Sequence, residues 1–147
     1  MDPDLVADLE RRLGHRFRDP ILLERAVTHA SYANENPLTP DNAPLALLGD
    51  AALGLVVAEH LLRADPDAPV GVLTPRRAEL VAGERLARWA AEVGLGPLMR
   101  LGRGEDQTGG RTRESVLATA LEALLGAVYL EGGVDAVRLV VGRLALW

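Results

Sequence analysis

Two acidic residues stand where their surroundings argue against charge. Asp50 is the one interruption of a run of small and apolar residues within PLALLGDAALGLVVAEHLL (44–62), and Glu122 interrupts ATALEALLGAVYL in the same way. An unpaired carboxylate in an apolar setting costs several kcal/mol or takes up a proton. Each acid alone is compatible with a boundary position, or with pairing to a buried arginine. Two such acids on two apolar helices can also meet. Converging carboxylates are what a hard, oxygen-liganded cation such as Mg²⁺ requires. The chemistry therefore turns on whether Asp50 faces Glu122.

Other candidates are weaker. GRGEDQTGG (102–110) has the glycines of a phosphate-cradling loop, but lacks the lysine and the serine or threonine of a P-loop and follows no strand, so a plain flexible loop is the better reading. His15, His29 and His60 form no metal-ligand spacing; His29, in VTHASY, suits a cap or a packing role. No serine lies in a nucleophile elbow. Tyr32, Tyr129, Trp89 and Trp147 fall on apolar helix faces and read as core, with no stacking platform for bases.

The elements that must position the acids are helical throughout. Residues 3–13 place Leu5, Val6, Leu9 and Leu13 on one face and end at Gly14. Asp19-Pro20 opens a second helix through ILLERAVTHASY. A loop (34–44) precedes the helix of Asp50, capped by Asp41 or Asn42 and running to about residue 63. Thr74-Pro75 starts a helix that ends at Gly94. The helix of Glu122 starts near Ser115, its expected cap, and stops at Gly132-Gly133; a last helix runs from Asp135 to Trp147. Gly49 and Gly126 each carry a helix-propensity cost of roughly 1 kcal/mol, which close approach of two helices explains. In RTRES (111–115) the arginines suit pairing with acids better than contact with phosphate. No strand and no internal repeat emerge, so the fold class is all-α.

Composition sets the outer bounds. The 147 residues fit one domain, 48% hydrophobic and 25% charged. No stretch of 18 uninterrupted apolar residues occurs, which argues against a membrane span. The acidic N-terminus lacks the order of a signal peptide, and with no cysteine a cytoplasmic protein is the simplest reading. The net charge of −5 leans against nucleic acid, although sixteen arginines and no lysine leave room for a local basic patch.

Three blocks, in order, resemble the nuclease domain of the ribonuclease III family: LERRLGHRFRDPILLERAVTHASY with its Thr-His-x-Ser, NAPLALLGDAALGLVVAEHLL with its Gly-Asp, and LGRGEDQTGGRTRESVLATALEALLGAVYLEGG. The resemblance covers nearly the whole chain. It implies an all-α fold of about seven to nine helices, a homodimer, and cleavage of double-stranded RNA by metal-activated water with Mg²⁺ or Mn²⁺. It further implies four metal-binding acids per subunit, which fall at Ala46, Asp50, Thr119 and Glu122. Two of the four are absent, and a further family glutamate falls at the equally inert Ala43. The family's interface aromatic, a knob entering the partner subunit, falls at Leu47. The chain stops where a double-stranded-RNA-binding domain follows in full-length bacterial enzymes, so residues 1–147 are expected to hold the nuclease-like domain alone. The expected function is a dimeric RNA-interacting domain, ribosome-associated or otherwise, with weak or absent cleavage. A working endonuclease relying on Asp50 and Glu122 is the alternative, and a protein-interaction role, including pairing with an intact paralogue, is the third.

Overall fold

The computed structural model describes Met1–Trp147. Nine α-helices follow one another: α1 (Pro3–Leu13), α2 (Pro20–Ala26), α3 (Ala30–Glu35), α4 (Ala43–Ala64), α5 (Val70–Leu80), α6 (Gly83–Glu92), α7 (Leu95–Leu98), α8 (Arg103–Gln107) and α9 (Glu114–Ala145), with a 3-10 turn at Gly110–Thr112. The longest helices, α4 and α9, form the most extensive pair, and α6 packs on α9 from another side. Their contact is the core: Leu53, Val56 and Val57 of α4 meet an α9 on which Ala120, Leu121, Ala123, Leu124, Leu125, Ala127 and Val128 are all buried. By length and apolarity α4 resembles a membrane span. Its buried face is nevertheless spent on this core, as in any central helix of a packed domain.

Local chemistry sets several helix ends where the sequence places them. The Asp19 carboxylate accepts the Ile21 N–H at 3.0 Å, and Asp41 accepts the Ala43 N–H at 3.0 Å. Asn42 instead turns inward and donates to the Ala26 carbonyl at 3.0 Å. Of the two expected caps of α4, Asp41 therefore makes the bond.

Other boundaries depart from expectation. The second helix does not continue to Tyr32: α2 stops at Ala26, and the chain extends so that the Arg100 N–H reaches the Val27 carbonyl (2.8 Å) and the His29 N–H reaches the Arg100 carbonyl (3.0 Å). This isolated bridge couples segments some seventy residues apart, and local periodicity carries no trace of it. The helix expected from Thr74 to Gly94 is two helices. It starts one turn earlier, with Pro75 inside α5, and breaks at Val81-Ala82. The break lets α6 bury Leu86, Trp89 and Ala90 while α5, which has no fully buried residue, lies along α4. Ser115 caps nothing, because α9 begins one residue earlier with Arg113 at the N-cap position. Gly132-Gly133 is a kink rather than a stop: Gly133, at φ 70° and ψ −166°, holds a conformation closed to side chains, and the helix resumes beyond it.

The loop expected at 102–110 is in part the short helix α8. Arg113 pairs with Glu105, while Arg111 pairs with Asp106 at 2.9 Å and donates to the Met99 carbonyl at 2.6 Å. The RTRES arginines are thus used for internal pairing. Of the four aromatics expected in the core, Trp89 alone is buried. Tyr32 lies under the Arg100 guanidinium, Tyr129 is exposed, and Trp147 stacks on His60 with ring centroids 3.7 Å apart.

Glu131 ties the start of the chain to the end of α9's first segment. Its carboxylate, 5% exposed, accepts the Asp19 N–H at 2.8 Å and the Arg18 N–H at 3.0 Å, and meets His15 Nε2 at 3.0 Å. Burial works to raise its pKa, but these donors outweigh burial and hold it below the ordinary 4.5. The stabilisation is therefore present above pH 4.5 and lost as pH falls through the lowered value. Glu131→Gln is expected to cost about 1.5–3 kcal/mol at pH 7. The deficit should shrink under acid conditions, as read from urea melts at both pH values; a pH-independent deficit would refute a charge-based role.

Candidate functional site

The site is built by the closest approach of α4 and α9. A Cβ on Gly49 would lie 1.6 Å from the Glu122 carbonyl oxygen, and a Cβ on Gly126 would lie 2.2 Å from the Leu45 carbonyl oxygen. Only hydrogen fits at either place, so the backbones touch, as the sequence reading of these two glycines expects. Asp50 follows Gly49 directly and is thereby brought beside Glu122.

Asp50 lies near enough to Glu122 to act on its ionisation. Glu122 titrates at about 7 instead of its ordinary 4.5, first because half-burial disfavours its anion, then because Asp50 hydrogen-bonds to its protonated form and repels its charge. Neither acid belongs to any of the chain's ion pairs. Pairing with a buried arginine is thus ruled out as the reason for either. Asp50 lies exposed at the rim and Glu122 half-buried behind it.

Glu122→Gln tests this geometry without any metal. A folded-state pKa raised from 4.5 to about 7 means the native form binds more protons between those values, so stability is fully present below pH 4.5 and is lost as pH rises through about 7. Solvent at the Asp50 side screens the effect. In chelator, Glu122→Gln is expected to be more stable than the parent at pH 8 by about 1 kcal/mol, the gap closing toward acid pH. Parallel melting curves across that range would show that the two carboxyls do not interact.

Ala46 lies one turn before Asp50 on α4, and Thr119 one turn before Glu122 on α9; both are half-buried. Ala46 packs its methyl against the core and offers no donor. Thr119 offers a neutral hydroxyl. Ala43 is exposed in the first turn of α4. Nowhere in the chain do three or more acids or histidines converge. The pair can supply oxygen ligands to one hard cation, with most of the coordination left to other donors.

A cleft of about 590 Å³ between α4 and α5 opens beside Asp50 and includes Thr74 and Arg77. Sequence reasoning passes over Arg77, since one arginine on a charged helix surface carries no distinguishing signal. A larger groove, about 840 Å³, lies toward the C-terminal ends of α4 and α9. It contains no acid pair; its Glu59 is held by Arg138 at 2.8 Å, so size does not mark the reactive place here. His29 serves as the N-cap of α3, its Nδ1 accepting the Ser31 N–H at 3.1 Å. Burial, reinforced by Arg113 and opposed by Asp41, holds it below its ordinary 6.5. Leu47, one residue after Ala46, is 76% exposed.

Fold and site define a class: an all-α domain in which two long helices in backbone contact carry an adjacent carboxylate pair. Residues 19–146 match the Ribonuclease-III-like family. Ribonuclease 3 of Cereibacter sphaeroides is 52% identical over 144 residues, covering 98% of this chain and 62% of that protein. Ribonuclease 3 of Streptomyces coelicolor is 49% identical over 136 residues, covering 92% of this chain and 49% of that protein. The solved nuclease domain of ribonuclease III from Campylobacter jejuni superposes with a TM-score of 0.89 at 35% identity, over 95% of this chain and 94% of that one. The chain belongs to the ribonuclease III family. It spans less than two thirds of the length of these curated relatives.

Proposed function

We propose that the chain acts as a ribonuclease III-type domain that engages double-stranded RNA as a dimer and cleaves it weakly or not at all. The observation that supports this reading is the composition of the site: Asp50 and Glu122 face each other, while the positions one turn before them are Ala46 and Thr119. A divalent cation bound here supplies Lewis-acid polarisation of water and neutralises charge at a phosphate. Asp50 and Glu122 are the residues that would hold it. Ala46 and Thr119 contribute no charge, which weakens both the hold and the geometric control.

Purified chain incubated with long duplex RNA and Mg²⁺ or Mn²⁺ is expected to leave most of the RNA intact. Efficient cleavage that disappears in Asp50→Asn or Glu122→Gln would establish the alternative, a working endonuclease resting on the surviving pair. That alternative draws support from the adjacency of the two acids and their lack of arginine partners.

The dimer reading rests on Leu47. An apolar side chain this exposed at the start of the central helix suits insertion into a second subunit, and the solved Campylobacter jejuni nuclease domain is described as flexible in a region involved in dimer formation. Leu47→Arg is expected to convert the dimer to a monomer in sedimentation while helical content is retained. A dimer that survives the substitution places the interface elsewhere.

A further inference from the structure

We propose that the groove toward the C-terminal ends of α4 and α9 binds a nucleoside phosphate, with Arg63 and Arg143 taking the phosphate and the paired rings of His60 and Trp147 taking the base. The groove, about 840 Å³, is of the size that encloses a small organic ligand. It shares no lining residue with the cleft beside Asp50, so it stands apart from the carboxylate pair and from the reading built on that pair.

Charge is the first argument. Three guanidinium groups, of Arg63, Arg138 and Arg143, line the groove, and two carboxylates answer them, Glu59 in the wall and Asp135 beside Arg138. One positive charge is left in excess. Both acids are hydrogen-bonded to Arg138, Glu59 through contacts of 2.8 and 3.3 Å. Arg63 is 79% exposed, and its nearest carboxylate oxygen, on Glu59, is 3.9 Å away. Arg143 donates to the Arg12 and Arg11 carbonyls at 3.3 and 3.1 Å, neutral groups that fix its place without cancelling its charge. On a chain of net charge −5 this is a local reversal of sign, and a concave setting strengthens such a field. The planar fork of arginine matches the oxygens of a phosphate.

The rings are the second argument. His60 and Trp147 stack with their planes 9° from parallel. Leu146, in the left-handed region at φ 60°, turns the chain back so that the Trp147 N–H reaches the Gly142 carbonyl at 3.2 Å and the indole joins the groove wall. The indole stays 38% exposed, and Val56 and Leu139 add apolar surface to the same groove. The His60 ring leaves no buried nitrogen unpaired, so the nitrogens that find no partner in the protein face water. An inorganic anion uses none of the aromatic surface, whereas a base stacks on it. Uncommitted guanidinium groups beside an aromatic pair suit a ligand with a flat ring at one end and a phosphate at the other.

Titration calorimetry in chelator with adenosine monophosphate, adenosine and inorganic phosphate tests this. The nucleotide is expected to bind with a Kd on the order of 0.1 mM, about tenfold or more tighter than adenosine or phosphate alone. Arg63→Glu should weaken it by about tenfold, while Arg63→Lys, which keeps the charge, should retain part of the affinity. Trp147→Ala should weaken binding of the nucleotide and leave that of phosphate unchanged. Arg77→Gln, in the other cleft, should change neither. Arg63 is a surface residue, so its variants are expected to keep the parent circular dichroism spectrum. No nucleotide binding at millimolar concentration, binding unmoved by Arg63→Glu, or phosphate held as tightly as the nucleotide would overturn the proposal. Uptake of hexaglutamate in preference to the nucleotide would overturn it too, and would mark the groove as a surface for an acidic protein segment. None of these results touches the RNA-interacting reading.

Discussion

Gly49→Ala is expected to be among the most damaging single-methyl additions the chain can receive. The new Cβ would sit 1.6 Å from the Glu122 carbonyl oxygen, 2.6 Å from its carbon and 2.8 Å from the Gly126 nitrogen. All three are backbone atoms of a buried helix, so no rotamer change relieves the clash. The helices must part instead, and the core between Leu53, Val56, Val57 and the α9 leucines opens with them. Overpacking typically costs about 1–3 kcal/mol where side chains can adjust. With rigid backbone on the opposing side, about 3–5 kcal/mol is the appropriate scale, a large share of the roughly 5–15 kcal/mol that holds a domain together. At this chain length that corresponds to a melting temperature lower by roughly 10–15 °C. Gly54→Ala, five residues along the same helix, is the control: a Cβ there meets nothing within 4 Å. It is expected to stabilise by about 0.5–1 kcal/mol through helix propensity. Equal melting temperatures for the two variants would mean that the close contact is not maintained in solution.

Ala46→Glu combined with Thr119→Asp should have the largest effect on chemistry. Ala46 and Thr119 lie one helical turn from Asp50 and Glu122 on the two helices that Gly49 and Gly126 hold in contact, and both are half-open to solvent. Carboxylates at these places restore two charges toward a cation between the helices. Lewis-acid stabilisation is worth several kcal/mol, so duplex cleavage with Mg²⁺ or Mn²⁺ should rise on the order of a hundredfold or more over the parent. The same substitutions crowd four acids together, so in chelator the variant should melt below the parent and recover on addition of Mn²⁺. A folded, dimeric variant that binds Mn²⁺ yet does not cut duplex RNA would show that the missing acids are not what limits this chain. The loss would then lie in RNA engagement, where a net charge of −5 already offers little general attraction for phosphate.

The all-α class and the pairing of two acid-bearing helices through Gly49 and Gly126 can be read from the sequence, and the resemblance to the family exposes the bareness of Ala46 and Thr119. These are legible because they reside in residue type and short-range spacing. A glycine without a turn to make, in a helix that it weakens, asks for a neighbour. The motif blocks that gave the family are of the same local kind.

Other features depend on contacts between distant segments. The end of α2 at Ala26 follows from a bridge to Arg100, and the division of α5 from α6 follows from their packing on different helices. Glu131 looks from sequence like one more charged residue near a helix end; its role appears only once His15, Arg18 and Asp19 are folded over it. The meeting of Asp50 with Glu122 belongs to both levels. Sequence places each acid on its helix and the glycines beside them. The elevated titration of Glu122, and the absence of any arginine to neutralise the pair, come from distances through space that no spacing along the chain contains.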